Sequence, residues 1–169
     1  MRDMYKEFEV SHKEGETVVT EQYRSVLFDA FTGAKISKFV LAKIVPVFSA
    51  MAGNEENGGK QKDAEEKQKD LEAATASMLD MLANTLMSID DDELEMVMTR
   101  CLNSAEKRLA ARWVRCMDGK GWSVDGLKYD TMTCLKIVAQ VIIHNFSDFF
   151  GENGLDLNQL MQNLPKLNP

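Results

Sequence analysis

The sequence has little of what catalytic and metal sites usually require. Its 169 residues include two histidines, His12 and His144, and three cysteines, none of them in a C-x-x-C pair. The sequence also has no G-x-S-x-G, H-E-x-x-H or phosphate-loop motif. It therefore offers almost no residues from which a catalytic triad or a histidine metal site could be built. The odd number and wide spacing of Cys101, Cys116 and Cys134 favour reduced, buried thiols. We therefore expect a protein that is not an enzyme and that uses no cofactor or metal.

An excess of positive charge and long apolar runs are missing as well. The formal net charge is -7 and only 8% of the residues are aromatic, whereas nucleic-acid binding requires clustered Lys and Arg. No apolar run approaches the roughly 20 residues that cross a bilayer. The N-terminus is charged where a signal peptide would be apolar, since it begins with MRDMYKEFEV. These features predict a cytoplasmic protein with neither nucleic-acid nor membrane partners.

The N-terminal part of the chain is patterned as β-strands. Apolar and charged residues alternate over 5–10, a glycine-containing turn lies within 11–16, and residues 17–20 are β-branched. Residues 23–28 continue this strand or add another. The pattern predicts a small N-terminal antiparallel β-hairpin or three-stranded sheet.

Most of the remaining chain has helical periodicity. Helical spacing begins after Asp29, with Asp29 or Thr32 as the N-cap, and the apolar face of this helix includes Phe31, Ile36 and Phe39. The helix ends or kinks at Pro46. A second apolar stripe covers residues 71–89, and a long helix is predicted from Asp130 or Thr131 to its end at Gly151. The predicted fold class is therefore mainly α, an α+β fold in which helices dominate the small sheet.

The domain organisation follows from the same patterns. The length fits a single domain over residues 1–169. Residues 52–69 are rich in glycine and in both signs of charge, which predicts a flexible charged insertion. Residues 155–169 predict a weakly ordered C-terminal tail. Residues 103–129 have the weakest secondary-structure pattern of the chain, and residues 109–114 fit either a strand or a helix end.

The acidic run at residues 90–95 has two interpretations. Carboxylates clustered around Mg²⁺ or Ca²⁺ require defined ligand offsets, and the EF-hand pattern is absent. Alternatively, Ser88 or an aspartate caps a new helix whose dipole favours acids in its first turn. We favour the helix cap.

The stretch HNFSDFFGENG, residues 144–154, is the most aromatic part of the chain. His144 and Asp148 are four residues apart, a spacing that fits a surface pair near a helix end better than a catalytic one. A helix also places Phe146, Phe149 and Phe150 on one side. We expect Phe146 in the core, while Phe150 fits a core position and a docking position equally well.

Three segments carry a resemblance to a known family. They are YRSVLFDAFTGAK at residues 23–35, G-L-x-Y-D at 126–130, and NFSDFF at 145–150. Together with the variable charged insertion and the helix pair with an acidic cap, this order resembles the tail assembly chaperones of long-tailed bacteriophages. The resemblance spans roughly residues 5–151.

The resemblance implies a function by reversible protein binding during virion morphogenesis. Such chaperones act in the host cytoplasm, bind the tape-measure protein and are absent from the mature virion. Where a ribosomal frameshift extends the chain, the longer product also recruits the tail-tube protein. An amphipathic, Met-bearing, acidic protein fits helix-in-groove binding, and the candidate partner-binding residues are Met78, Leu82, Phe149 and Phe150. The alternative is a phage or bacterial regulatory adaptor or antidefence protein that binds and inhibits an enzyme.

Overall fold

The computed structural model describes residues 3–47 and 80–147, which form an α+β fold. Their main sheet has four antiparallel strands in the order β1-β2-β3-β4. The bounds are β1 Tyr5–Glu14, β2 Thr17–Val26, β3 Ala105–Leu109 and β4 Arg112–Arg115. The prediction of a helix-dominated fold with only a small N-terminal hairpin or three-stranded sheet is therefore wrong, because the middle of the chain supplies two further strands.

Helices surround this sheet along the chain. Helix α1 spans Ala30–Phe39 and continues into a π-helical turn, Val40–Ile44. The described part of α2 covers residues 80–88, and α3 spans Asp91–Asn103. A two-stranded ribbon, β5 Met117–Asp118 and β6 Gly121–Trp122, precedes a short 3₁₀ helix at Asp125–Tyr129. Helix α4 spans Thr131–Asn145.

The β1-β2 hairpin follows from its period-two sequence. Its register places Tyr5 opposite Val26 and Glu14 opposite Thr17, so the turn consists of Gly15 and Glu16. Gly15 has a φ of +63°, a conformation that glycine adopts without the steric cost of a Cβ. The strand prediction for this region is confirmed, and the strands are longer than their apolar alternation indicated.

Strand β3 was not predicted, because a charged residue replaces the apolar one expected on the inner side, whereas β4 lies largely within residues 109–114, for which a strand was one of two alternatives. Lys107 lies opposite Tyr23 on the side of the sheet that faces the helices. Its ammonium group donates to Glu21, and its side chain is only 14% exposed. A charged residue in an ion pair thus occupies a position where the alternating pattern of a strand would have Val or Ile. The segment AEKRL therefore lacks the sequence pattern that predicts a strand.

The core lies between α4 and the inner face of the sheet, the face that carries Phe8, Val10 and Tyr23. Phe8 stacks on Tyr23 with ring centroids 6.0 Å apart, and α4 packs against β1 and β2. Helices α1 and α3 supply further buried side chains to the same cluster: Ile36, Phe39, Val40, Ile44, Val97, Cys101 and Leu102. Burial of this apolar area supplies most of the driving force for folding.

Polar side chains connect the end of α4 to β2. The Nδ1 atom of His144 lies 2.9 Å from the Ser25 hydroxyl, and the side-chain carbonyl of Asn145 accepts a 2.7 Å hydrogen bond from the Phe28 backbone. The Nε2 atom of His144 lies 3.1 Å from the Asp3 carbonyl oxygen. His144 is buried, so the expectation of a surface pair is wrong for this residue.

Aspartates cap the helices as the sequence predicts. Asp29, Asp90 and Asp130 accept hydrogen bonds from backbone amides in the first turns of α1, α3 and α4. The favoured interpretation of residues 90–95 as a helix cap is therefore confirmed. Helix α4 ends at Asn145, and Phe146 after it leaves the helical conformation and packs on Phe28 with ring centroids 6.3 Å apart. The predicted end at Gly151 lies outside the described residues.

Two predicted segments, 52–69 and 155–169, lie outside the described residues. The expectation of one domain over residues 1–169 stays a prediction.

Candidate protein-binding cleft

The outer face of the sheet carries a row of alternating charges. Glu7, Arg24, Glu106 and Arg115 lie opposite one another across the four strands, and alternation along each strand places them away from the core. Among the described residues, Glu7 and Arg115 at the two ends of this row are exposed, whereas Arg24 and Glu106 between them are partly buried.

Arg24 is the central residue of this face. Its guanidinium carbon lies 4.3 Å from the ring centroid of Tyr5 and 4.7 Å from that of Trp113, and its Nε donates to Glu106. Stacking between two rings together with an ion pair holds the guanidinium in one orientation. The outer face is therefore preorganised.

A cleft of about 860 Å³ opens where the outer face meets α3 and the start of α1. The sheet contributes Tyr5, Val26, Glu106 and Arg115 to its lining. Helix α3 contributes Asp92, Glu95, Met96, Thr99, Arg100 and Asn103. The four strands of the sheet, α3, the start of α1 and the turn between β5 and β6 thus meet at one concave surface, as is common in binding sites.

One wall of the cleft is the turn between β5 and β6, and Asn103 fixes it to α3. The Asn103 amide donates 2.8 Å to the Gly119 carbonyl and accepts 2.8 Å from the Gly119 backbone amide. Gly119 has a φ of +61°, which favours glycine. The turn carries Lys120 into the cleft lining, where it lies 3.4 Å from Glu95.

The opposite wall begins at the cap of α1. The Asp29 carboxylate accepts hydrogen bonds from the Thr32 hydroxyl at 2.6 Å and from the backbone amides of Phe31 and Thr32. These hydrogen bonds, that of the Thr32 hydroxyl above all, hold the pKa of Asp29 below its usual value. The hydrogen-bonding capacity of this carboxylate is therefore used mainly to cap α1.

Phe31, in the first turn of α1, is an exposed aromatic residue whose neighbours in the chain line the cleft. It lies between Asp29 and Thr32, which both line the cleft, and its side chain is 84% exposed. Its backbone is fixed by the Asp29 cap, so the ring projects from an ordered position. An exposed aromatic on a rigid element next to a concave surface is typical of a binding hot spot.

A smaller apolar groove of about 320 Å³ adjoins the cleft between α3 and the β5-β6 ribbon. Met98, Leu102, Met117 and Trp122 line it, and it shares Glu95, Thr99 and Lys120 with the cleft. Methionines are suited to surfaces that adapt to a partner.

Of the four candidate partner-binding residues from the sequence, Leu82 alone lies within the described residues, and it does not line this cleft. Leu82 is fully buried in the core, while Met78, Phe149 and Phe150 lie outside the described residues. A role for these four in binding stays a prediction. Sequence reasoning missed Phe31, because helical spacing assigned it to the buried stripe of α1.

Within residues 3–47 and 80–147, no cluster of three or more His, Cys, Asp or Glu side chains is arranged to hold a metal ion. In the same part of the chain, no helix is both long and apolar enough to span a bilayer. The three thiols are buried. Burial raises the pKa of Cys116 to about 12 and that of Cys134 to about 11.

A row of charges on one face of the sheet, a concave surface lined by both charges and an exposed aromatic residue close in the chain to its lining together form a surface suited to protein recognition. Comparison with known proteins agrees with this class. The family model described as phage tail assembly chaperone protein, TAC, matches residues 20–156, and the chain therefore belongs to this family. No curated protein and no solved structure matches it.

Proposed function

We propose that the protein binds the tape-measure protein during tail morphogenesis and keeps it soluble until it is assembled. The observation that carries this proposal is the family match over residues 20–156. The protein acts by binding, without catalysis, in the cytoplasm of the host cell, and is not retained in the virion. If a frameshift extends the chain, the longer product also binds the tail-tube protein.

The described surface supports this role. Several large apolar side chains are exposed, and Phe31, Met87 and Met132 are at least 59% exposed. Such side chains match the apolar stripe of an amphipathic partner helix. The formal net charge of -7 keeps the complex soluble by mutual repulsion.

Co-expression tests the function itself. The tape-measure protein of the same phage is produced with and without this chain, and its soluble fraction is measured after centrifugation. We expect a clear increase in solubility and co-purification of the two proteins. A tape-measure protein that is equally insoluble in both cases would contradict the proposal.

Phe31→Ala tests the placement of the binding surface. Because Phe31 is 84% exposed, its removal should change the free energy of unfolding by no more than about 0.5 kcal/mol. Loss of a hot-spot aromatic should weaken binding of the tape-measure protein at least tenfold, roughly the 1.4 kcal/mol equivalent. Calorimetry or biolayer interferometry measures the affinity.

Tyr129→Ala is the matched control. Tyr129 is also aromatic and 83% exposed, but none of its neighbours in the chain lines the cleft, whereas Asp29 and Thr32 on either side of Phe31 do. We expect this variant to bind as the wild type does. Equal losses of affinity in both variants would show that exposed aromatic residues contribute to binding wherever they lie. No loss of affinity in either variant would show that the partner binds at another surface of the protein.

A further inference from the structure

The carboxylates of the cleft are largely engaged within the protein. Asp29 is committed to the cap of α1. Glu95 pairs with Lys120. Glu106 accepts from Arg24. The cleft therefore has little unpaired negative charge with which to attract a basic group.

Two arginines that line the cleft, in contrast, lack ionic partners among the described residues. Arg115 is exposed, and its side chain has neither an ion pair nor a hydrogen bond within the described residues. Arg100 is partly buried, and its Nε, which is inaccessible to solvent, has no hydrogen-bond partner in the same part of the chain. Because this Nε is inaccessible, an acceptor from outside cannot reach it, but the terminal nitrogens of the Arg100 guanidinium are not among the buried unpaired atoms of the described residues and can donate to one.

We propose that this cleft takes an acidic side chain of the protein partner, an Asp or Glu carboxylate held by Arg115 and Arg100. The inference rests on the proposed function and specifies the partner chemistry that the cleft recognises. Guanidinium groups bind carboxylates through paired, charge-assisted hydrogen bonds, which define position as well as charge. Asp92 is the one other carboxylate that lines the cleft, and it is exposed in the first turn of α3, where the helix dipole stabilises it.

The dimensions favour a carboxylate carried on a polypeptide over a free anion. A cleft of about 860 Å³ is many times larger than one carboxylate, and Tyr5 and Met96 give it apolar walls. An acidic residue flanked by apolar ones on a partner segment would therefore satisfy the arginines and the walls together. Because the whole chain is acidic, these local cations are what admit an acidic residue.

The experiment measures the affinity of the full-length chain for the tape-measure protein of the same phage. Arg115→Gln and Arg115→Glu are the main variants, because an exposed side chain without partners can be changed without unfolding the protein. Arg112→Gln and Arg112→Glu are the matched controls, since Arg112 is exposed on the same strand but does not line the cleft. Arg100→Gln is added, with circular dichroism to verify its fold.

We expect Arg115→Gln to weaken binding about tenfold and Arg115→Glu more strongly, since the latter adds repulsion. Arg115→Lys should recover only part of the affinity, because an ammonium group keeps the charge and loses the paired geometry. The Arg112 variants should bind as the wild type does. Unchanged affinity of both Arg115 variants would overturn the inference, as would equal losses at Arg112 and Arg115, which indicate general electrostatics. Absence of binding by the wild-type chain would instead refute the proposed function, and this inference with it.

Discussion

Glu21 shows at the scale of a single residue how the sheet accommodates charge next to the core. Burial raises the pKa of its carboxyl group, but the hydrogen bonds from Lys107 and from the Tyr23 hydroxyl, the latter at 2.7 Å, outweigh burial and leave the pKa below its usual value. Burial and the same carboxylate raise the pKa of Tyr23, so the phenol stays protonated as the donor. The three side chains therefore form one satisfied polar unit.

This unit predicts a loss of stability in acid. Since the folded-state pKa of Glu21 lies below the unfolded-state value, its contribution is fully present above the ordinary carboxyl range and is lost as the pH falls through the folded-state pKa. Glu21→Gln should therefore destabilise the protein by about 1 kcal/mol at pH 7, and the difference from wild type should shrink between about pH 5 and pH 3. Urea unfolding at a series of pH values measures it. Glu9→Gln, at an exposed position on β1, is the control, and its unfolding free energy should not approach that of the wild type as the pH falls. A destabilisation by Glu21→Gln that does not change with pH would contradict the lowered pKa of Glu21.

At the scale of elements, the β3-β4 hairpin has a strained turn. The register pairs Leu109 with Arg112, so Ala110 and Ala111 form the turn. Ala110 has a φ of +52° and, among the described residues, is the one non-glycine residue with a positive φ. An alanine Cβ is crowded in this left-handed conformation, whereas glycine adopts it freely.

Ala110→Gly should stabilise the protein by about 0.5–1 kcal/mol, because relief of the strain exceeds the added entropy of the unfolded chain. Thermal unfolding measures the change as a higher melting temperature. Ala111→Gly is the matched control, because Ala111 does not have a positive φ, and it should leave the stability unchanged or lower it. A lower melting temperature for Ala110→Gly would show that the turn is not strained.

At the scale of the whole molecule, the reactivity of the three cysteine thiols is a measure of global unfolding. Cys101, Cys116 and Cys134 lie on different elements and are all buried. Burial raises the pKa of each, to about 12 for Cys116 and about 11 for Cys134. The thiolate is the reactive form, so the folded protein offers almost none at neutral pH.

We expect a thiol reagent such as DTNB to leave all three cysteines unmodified in native buffer at pH 8 and to modify all three across the urea transition. The modification should follow the unfolding curve seen by circular dichroism. The control is the fully denatured chain, which should react at once. One cysteine that reacts in native buffer at the rate of a free thiol would mean that its element opens independently of the core.

Local features of the fold were predictable from the sequence. Aspartates at 29, 90 and 130 cap helices because their side chains accept from amides two or three residues later, an interaction contained within a few residues. Phe146 is 6% exposed and packs on Phe28, as its place in the apolar pattern predicts. Family membership was also accessible, because short motifs at residues 23–35 and 126–130 resemble the family that the later comparison confirms.

The candidate cleft was not predictable, because its parts are distant in sequence. Arg100 and Arg115 line one cleft because α3 lies beside a sheet whose third strand was not predicted and whose fourth was left open. Phe31 was assigned to the buried stripe by its spacing, but it is 84% exposed in the first turn of α1. Periodicity describes one element, whereas exposure depends on which neighbours pack against it.

The sequence by itself determined the helix starts, the β1-β2 hairpin and the class of protein, because each depends on residues close together in the chain or on short motifs. Tertiary structure decided the size of the sheet, the burial of Lys107 beside Glu21, and the cleft between the outer face and α3. The physical reason is that strand pairing and charge compensation are long-range. A lysine reads as a surface residue until the fold brings a carboxylate from 86 positions away to meet it.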